Sequence, residues 1–149
     1  MEEPIKIVYN SDTSNFEITT FDLVVKQGNT KTFVLNFVDE NDAAYDITNY
    51  IIFFTIKSDL ADADADADLT KDISIHSSPA AGESKIELLA TDSKPTESGL
   101  SDLLGNYMYS IKLKTDDSPA KLYTVAEGLI SFTKDVTQRN SWIEQKDES

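Results

Sequence analysis

The chain has 149 residues, with 13 basic and 27 acidic side chains and a net charge of −14 at pH 7. One domain of ordinary size is expected at that length, and the charge opposes binding to nucleic-acid phosphates or anionic membrane surfaces. With no cysteine, one histidine and one arginine, disulfide frameworks, thiolate metal sites, cysteine nucleophiles and most other enzyme mechanisms are excluded.

Leu, Ile, Val and Phe make up about a quarter of the chain, above the roughly 20% below which a charged chain stays disordered. No apolar run approaches the ~20 residues that span a bilayer. The start (Met1, Glu2, Glu3, Pro4) is acidic, so no secretory leader is expected, and the lack of cysteine favours folding in a reducing cytosol.

In chain order, Ile5 to Tyr9 is a first short β-type run, followed by a polar stretch to Asn15. From Phe16 to Val25 the apolar residues alternate as Phe16 and Ile18, then switch phase to Phe21, Leu23 and Val25. A phase switch inside one extended segment predicts a bulge or a bend. A turn at Gln27 to Asn29 leads to a strand from Thr32 to Val38, with Phe33, Leu35 and Phe37 on one face. Asp39 to Asp42 is a turn of short polar side chains. Tyr50 to Lys57 is apolar on both faces and predicts a central strand covered on both sides.

Leu69 to Ile75 and Lys85 to Leu89 are shorter strands, joined through the turn cluster from Ser77 to Gly82. A turn or two of helix is expected within Thr91 to Leu104, ended by Gly105. Asn106 to Lys114 alternates cleanly, with Tyr107, Tyr109, Ile111 and Leu113 on the inner face. After a turn at Thr115 to Pro119, Lys121 to Asp135 is a long last strand interrupted at Glu127 and Gly128. About seven to nine short strands with regular turn spacing and at most one short helix predict an all-β, antiparallel β-sandwich. The expected organisation is an N-terminal arm over 1–15, the sandwich over 16–137 and a polar C-terminal tail over 138–149.

Candidate chemistry is sparse. Asp62, Asp64, Asp66 and Asp68 alternate with alanine and could offer oxygen ligands to Ca²⁺. An EF-hand needs Gly at its sixth and Glu at its twelfth position. Counted from Asp62 those are Ala67 and Ile73, and from Asp64 they are Leu69 and Ile75, so both frames fail. A solvated acidic loop is the expectation, with no metal and no cofactor. His76 lies beside Ser77 and Ser78, but no Gly-x-Ser-x-Gly elbow accompanies them; a surface histidine at a strand end is expected, and no catalytic residue.

Phe33, Phe37, Phe53, Phe54, Tyr107, Tyr109 and Phe132 follow strand alternation and are expected in the core. Tyr9, Tyr45, Tyr123 and Trp142 lie near strand ends or outside the pattern. Ile5, Ile7, Tyr9, Trp142 and Ile143 are the candidate partner contacts: the first segment is suited to adding to a sheet edge, its own or a neighbour's, and tryptophan is enriched at binding hot spots.

Four segments in order carry a resemblance. Val25 to Thr30 (with Gly28 and Thr30) precedes one strand, and Asp39 to Ile52 (with Asp46 and Thr48) leads into the next. Asp92 to Tyr109 ends in Leu104, Gly105, Asn106 and Tyr107, and Glu127 to Thr137 contains Gly128. Their order and spacing resemble the immunoglobulin-like N-terminal domain of bacteriophage baseplate upper proteins and related tail and fibre proteins. The chain departs from that pattern in several places. Asn29 replaces an aspartate, Ile47 replaces a leucine, Ala43 or Ala44 and Asn49 stand where glycines are common, and either Thr91 or Thr96 matches the family's threonine across an insertion from Pro95 to Ser101.

The resemblance implies an immunoglobulin-like sandwich serving a virion, non-enzymatic and usually oligomeric, whose partners are other virion proteins and itself. It implies no catalytic residues. The alternative is a carbohydrate- or host-receptor-binding module of an adsorption apparatus, and nucleic acid, membrane insertion and a small-molecule ligand are not expected. Within the motifs, Gly28 and Gly105 suit positive φ, Asp46 and Thr48 suit a turn cap, and Tyr107 suits a tyrosine corner.

Overall fold

The computed structural model describes residues 2–58, 67–93 and 103–134. Their strands are β1 (Glu2–Asn10), β2 (Asn15–Phe16), β3 (Thr19–Thr20), β4 (Leu23–Lys26), β5 (Lys31–Asp39), β6 (Ile51–Lys57), β7 (Leu69–Ile73), β8 (Glu83–Leu88), β9 (Gly105–Lys114) and β10 (Leu122–Thr133), with one α-helical turn, α1 (Ala90–Ser93), and a 3-10 turn at Pro79–Ala81. A four-stranded sheet has the order β2-β1-β5-β8, and a six-stranded sheet has the order β3-β10-β9-β6-β7 with β4 also on β10. The molecule is thus all-β, with side chains of both sheets meeting in one buried cluster.

The sheets are mixed, where the turn spacing predicts antiparallel ones. β1 runs parallel to β5, with Ile5 opposite Leu35 and Ile7 opposite Phe37. Parallel pairing needs a long crossover rather than a hairpin. Here the chain supplies it by leaving the four-stranded sheet after β2, running along β10 as β3 and β4, and returning as β5. β3 and β4 are themselves parallel to β10.

That excursion explains the phase switch. Phe16 points into the core from the four-stranded sheet, whereas Leu23 and Val25 point into it from the other. Ile18 lies in the crossing and is 55% exposed. The reversal of phase is therefore a change of sheet. A bulge does occur in β10, at Val125 between the register pairs of Thr124 and Ala126, one turn of the pleat earlier than the expected interruption at Glu127 and Gly128. It turns two successive residues, Val125 and Ala126, both to the core.

The expected N-terminal arm is instead β1. Its central residues Ile5 and Ile7 are 4% and 0% exposed, and the strand lies between β2 and β5 rather than outside the sandwich. Each such buried aliphatic stabilises by roughly 1.5–3 kcal/mol, so the strand is bound to its own sheet by apolar burial as well as by the ladder. β6 buries only one face: Ile52, Phe54 and Ile56 are in the core, while Ile51, Phe53 and Thr55 are half-buried on the opposite, outer side. α1 is one turn at the start of the segment in which a turn or two of helix is expected, and residues 94–102 of that segment lie outside the described residues; its last residue, Ser93, accepts the backbone N–H of Leu103 at 2.8 Å through its carbonyl.

Candidate functional site

The residues of the recognisable motifs serve the backbone. Gly28 and Gly105 have φ of +80° and +96°, the left-handed region that glycine tolerates best. Gln27, just before Gly28, is buried and donates from Nε2 to the Leu103 carbonyl at 3.1 Å, and the Gly28 N–H donates to Ser93 Oγ at 2.8 Å. Those bonds tie the entrance of β5 to the segment ahead of β9. Thr30, which follows, is exposed.

The Asp46 carboxylate accepts the Thr48 backbone N–H at 2.8 Å and its hydroxyl at 2.5 Å. These two bonds hold the Asp46 carboxyl below the usual carboxylate range. Asn49 follows with φ +66°, which Asn bears better than most side chains. That accounts for a residue standing where glycine is common.

Tyr107 is half-buried, with its ring 5.8 Å from that of Phe132, and its hydroxyl accepts the Leu104 N–H at 3.3 Å. The tyrosine buried on this strand is Tyr109. Its hydroxyl donates to the Phe21 carbonyl at 2.7 Å, across the gap between β3 and β4. Gly128 makes that approach possible. A Cβ there would lie 2.2 Å from the Phe21 oxygen and 3.2 Å from the Tyr109 ring, so the absent side chain is the space the Phe21 carbonyl occupies. Burial, with Asp22 nearby, pushes the Tyr109 hydroxyl well above the ordinary tyrosine range.

At the end of the sandwich where β6 begins, the structure gathers aromatic rings that are far apart in sequence. Phe16 lies at the centre, with Tyr9, Tyr45 and Tyr123 at 5.0, 5.3 and 5.2 Å between centroids. Tyr9 and Tyr45 are 4.8 Å apart, and Tyr50 joins at 6.3 Å from Tyr45. All four tyrosines are half-buried against the core. Burial, and then a hydrogen bond with Tyr50, raise the Tyr45 hydroxyl well above its ordinary range. Tyr9 and Tyr123 are inward-facing residues near the ends of β1 and β10, Tyr45 lies in the β5–β6 connection and Tyr50 just before β6, so nothing local in the sequence marks their meeting.

The outer face of the six-stranded sheet carries the second feature, a hollow of about 420 Å³. Phe53, Thr55 and Lys57 line it from β6, Thr70 from β7, Met108, Ser110 and Lys112 from β9, and Leu122 from β10. Strand register puts Thr70, Thr55 and Ser110 side by side as a row of hydroxyls. Phe53 and Lys112 are directly paired in the next row. Phe53 thus faces this hollow, half-exposed, and not the core expected for it. Leu122, Leu129 and Val24, on or beside the same outer face, are 61%, 46% and 59% exposed.

Of the candidate partner contacts, Ile5 and Ile7 are withdrawn by burial in their own sheet, and Tyr9 belongs to the aromatic end. Trp142, Ile143 and the tail over 138–149 lie outside the described residues, as do Asp62, Asp64 and Asp66 of the acidic repeat; Asp68 is exposed and its N–H donates to the Ile56 carbonyl at 2.8 Å. His76 is half-buried rather than a surface side chain. Its Nε2–H donates to the Tyr50 carbonyl at 2.7 Å, and in the neutral ring Nδ1 accepts the hydroxyl of fully buried Ser84 at 2.8 Å. It joins β8 of one sheet to the start of β6 in the other. Among the described residues no group of three or more His, Cys, Asp or Glu could hold a metal ion, and no helix is long and apolar enough to cross a membrane.

No protein-family model matches the chain, and no curated protein matches it by sequence. Among solved structures it is similar to the N-terminal domain of phage TP901-1 ORF48, at 11% identity and TM-score 0.47, over 90% of this chain and 100% of that one. It is also similar to auracyanin A, a blue copper protein of Chloroflexus aurantiacus, at 12% identity and TM-score 0.40, over 89% of this chain and 100% of that one. A third likeness is to the copper-containing nitrite reductase of Thermus scotoductus SA-01, at 13% identity and TM-score 0.35, over 99% of this chain and 31% of that one. These superpositions are too loose to transfer a function. A blue-copper centre in particular needs a cysteine thiolate beside two histidines, and this chain has no cysteine and a single histidine.

Proposed function

We propose that the chain is a non-enzymatic structural module of a bacteriophage virion, in the tail, baseplate, fibre or capsid surface, acting through contacts with other virion proteins and with itself. The observation that carries this reading is the ordered set of motif residues around Gly28, Asp46, Thr48, Gly105, Tyr107 and Gly128, by which the sequence resembles baseplate upper proteins. What these residues do is consistent with it: they set strand entrances, a turn and a close backbone approach, the work of a scaffold. The single histidine is engaged on both ring nitrogens, and the charge of −14 disfavours nucleic acid and anionic lipid.

The direct test is protein mass spectrometry of density-purified particles of the phage that encodes the chain. The reading expects its peptides in fixed ratio to known structural proteins through successive purifications. Loss of the chain during purification, with the particles intact, would contradict it.

A second reading, a carbohydrate- or receptor-binding module, is favoured by one observation, the gathering of Tyr9, Tyr45, Tyr50 and Tyr123 at one end. Aromatic rings with polar tips suit amphipathic surfaces such as sugars. Here the rings pack largely edge-to-face on one another, which leaves less flat face to offer. A glycan array separates the readings: saturable binding abolished by Tyr45→Ala supports the module, and no binding supports the scaffold.

A further inference from the structure

Lysines lie on the outer faces of both sheets. On the four-stranded sheet, Lys85 pairs with Glu2 at 3.0 Å and Lys6 pairs with Asp42. On the six-stranded sheet, Lys112 and Lys114 are exposed and make no ion pair among the described residues. Lys112 lines a hollow of about 420 Å³ together with Lys57, Phe53, Met108 and Leu122, and Lys114 is the register partner of Leu122 at its edge. Aromatic and methionine side chains in a concave patch, rimmed by charge, are the composition of a protein interface.

Local charge selects the occupant. Net charge, −14 on each copy, sets copies of this chain apart, so the fit lies in one part of the copy. Its loop end presents Glu40, Asp46, Asp116 and Asp117, all exposed, from the β5–β6 connection and the β9–β10 turn. We propose that the hollow on the outer face of the six-stranded sheet receives this acidic loop end of a second copy of the chain.

The inference rests on the assembly reading and deepens it by naming the surface and the partner. Such a contact joins two different patches, so it is heterologous and propagates into a closed ring or an open row. Lys112 and Lys114 supply attraction and orientation to the approaching acids, while burial of Phe53, Met108 and Leu122 holds the docked copy.

Sedimentation velocity of the purified chain over a range of concentration tests this. Association is expected that weakens as salt rises. Lys112→Glu, at an exposed site compatible with folding, is expected to weaken it by at least about tenfold. Thr55→Trp, which fills the floor of the hollow without changing its charge, is expected to do the same. Mixing Lys112→Glu with the double variant Asp116→Lys, Asp117→Lys is expected to restore association, because each altered patch then meets an opposite charge.

A chain monomeric at every concentration overturns the inference. So does association indifferent to both Lys112→Glu and Thr55→Trp. If the chain is monomeric alone yet abundant in purified particles, this inference fails while the virion reading stands. Association through this face by a chain absent from particles has the reverse meaning.

Discussion

The hydroxyl of Tyr109 and the carbonyl of Phe21 meet at 2.7 Å, and they do so over a glycine. The bond fastens the interrupted edge strand, β3 and β4, to the middle of the six-stranded sheet. Gly128→Ala would drive a methyl group to within 2.2 Å of the Phe21 oxygen. Backbone cannot yield as a flexible side chain does, so the variant is expected to lose about 1–3 kcal/mol, as overpacked cores do. Tyr109→Phe removes only the donor and is expected to cost about 1–3 kcal/mol. Urea denaturation of both variants and their double checks this. Because both disturb one contact, the double is expected to cost less than the sum; full additivity would show that the two residues act separately.

The bridge through His76 gives a second expectation. His76→Ala strips partners from the Ser84 hydroxyl, which is fully buried, and from the Tyr50 carbonyl. An unsatisfied buried polar group costs about 1–3 kcal/mol, so the variant is expected to melt several degrees lower. Ser84→Ala in the same background removes one orphan and is expected to recover part of the loss. Calorimetry of the three variants makes the comparison.

β1 is expected to be indispensable. Ile7 is fully buried opposite Phe37, and truncating such a side chain costs about 2–5 kcal/mol. Ile7→Ala is therefore expected to destabilise far more than Ile18→Ala, at a residue left 55% exposed in the crossing between sheets. Equal melting temperatures for the two would show that the first strand is a detachable arm.

The Asp46 turn has a pH signature. Its carboxyl is held below its ordinary range by Thr48. A depressed pKa in the folded state contributes stability that is present above the unfolded value and lost as pH falls through the folded one. Asp46→Asn is therefore expected to lower the melting temperature slightly near neutral pH. The gap to the parent should narrow as pH is taken below about 4, the unfolded aspartate value. A gap unchanged across that range would mean the carboxylate contributes nothing through its charge.

Much of the architecture was legible because strand alternation is local. Phe33, Leu35 and Phe37, and Tyr109, Ile111 and Leu113, are buried as their spacing dictates. Positive φ at Gly28 and Gly105 and the Asp46–Thr48 turn were equally legible, since short-range chemistry decides them. What depends on distant partners was not. The phase switch after Thr20 reads as a bend, but only the neighbouring β10 makes it a change of sheet. Ile5 and Ile7 look unattached because their parallel partner, β5, comes a crossover later. Gly128 reads as a break in a strand, while the reason for it is a carbonyl from Phe21. Phe53 alternates onto the outer face, where a hollow and no second layer awaits it among the described residues.

Amine labelling of lysines, on the free chain and on intact purified particles, tests the central claim that this is a virion module working through its outer sheet face. Lys112 and Lys114 are exposed and without an ion pair among the described residues, so both should label readily in the free chain. In particles they should be protected, while Lys85, on the opposite outer face and paired with Glu2 at 3.0 Å, labels as before. Particles that lack the chain, or that contain it with Lys112 and Lys114 as reactive as in the free protein, would contradict the account.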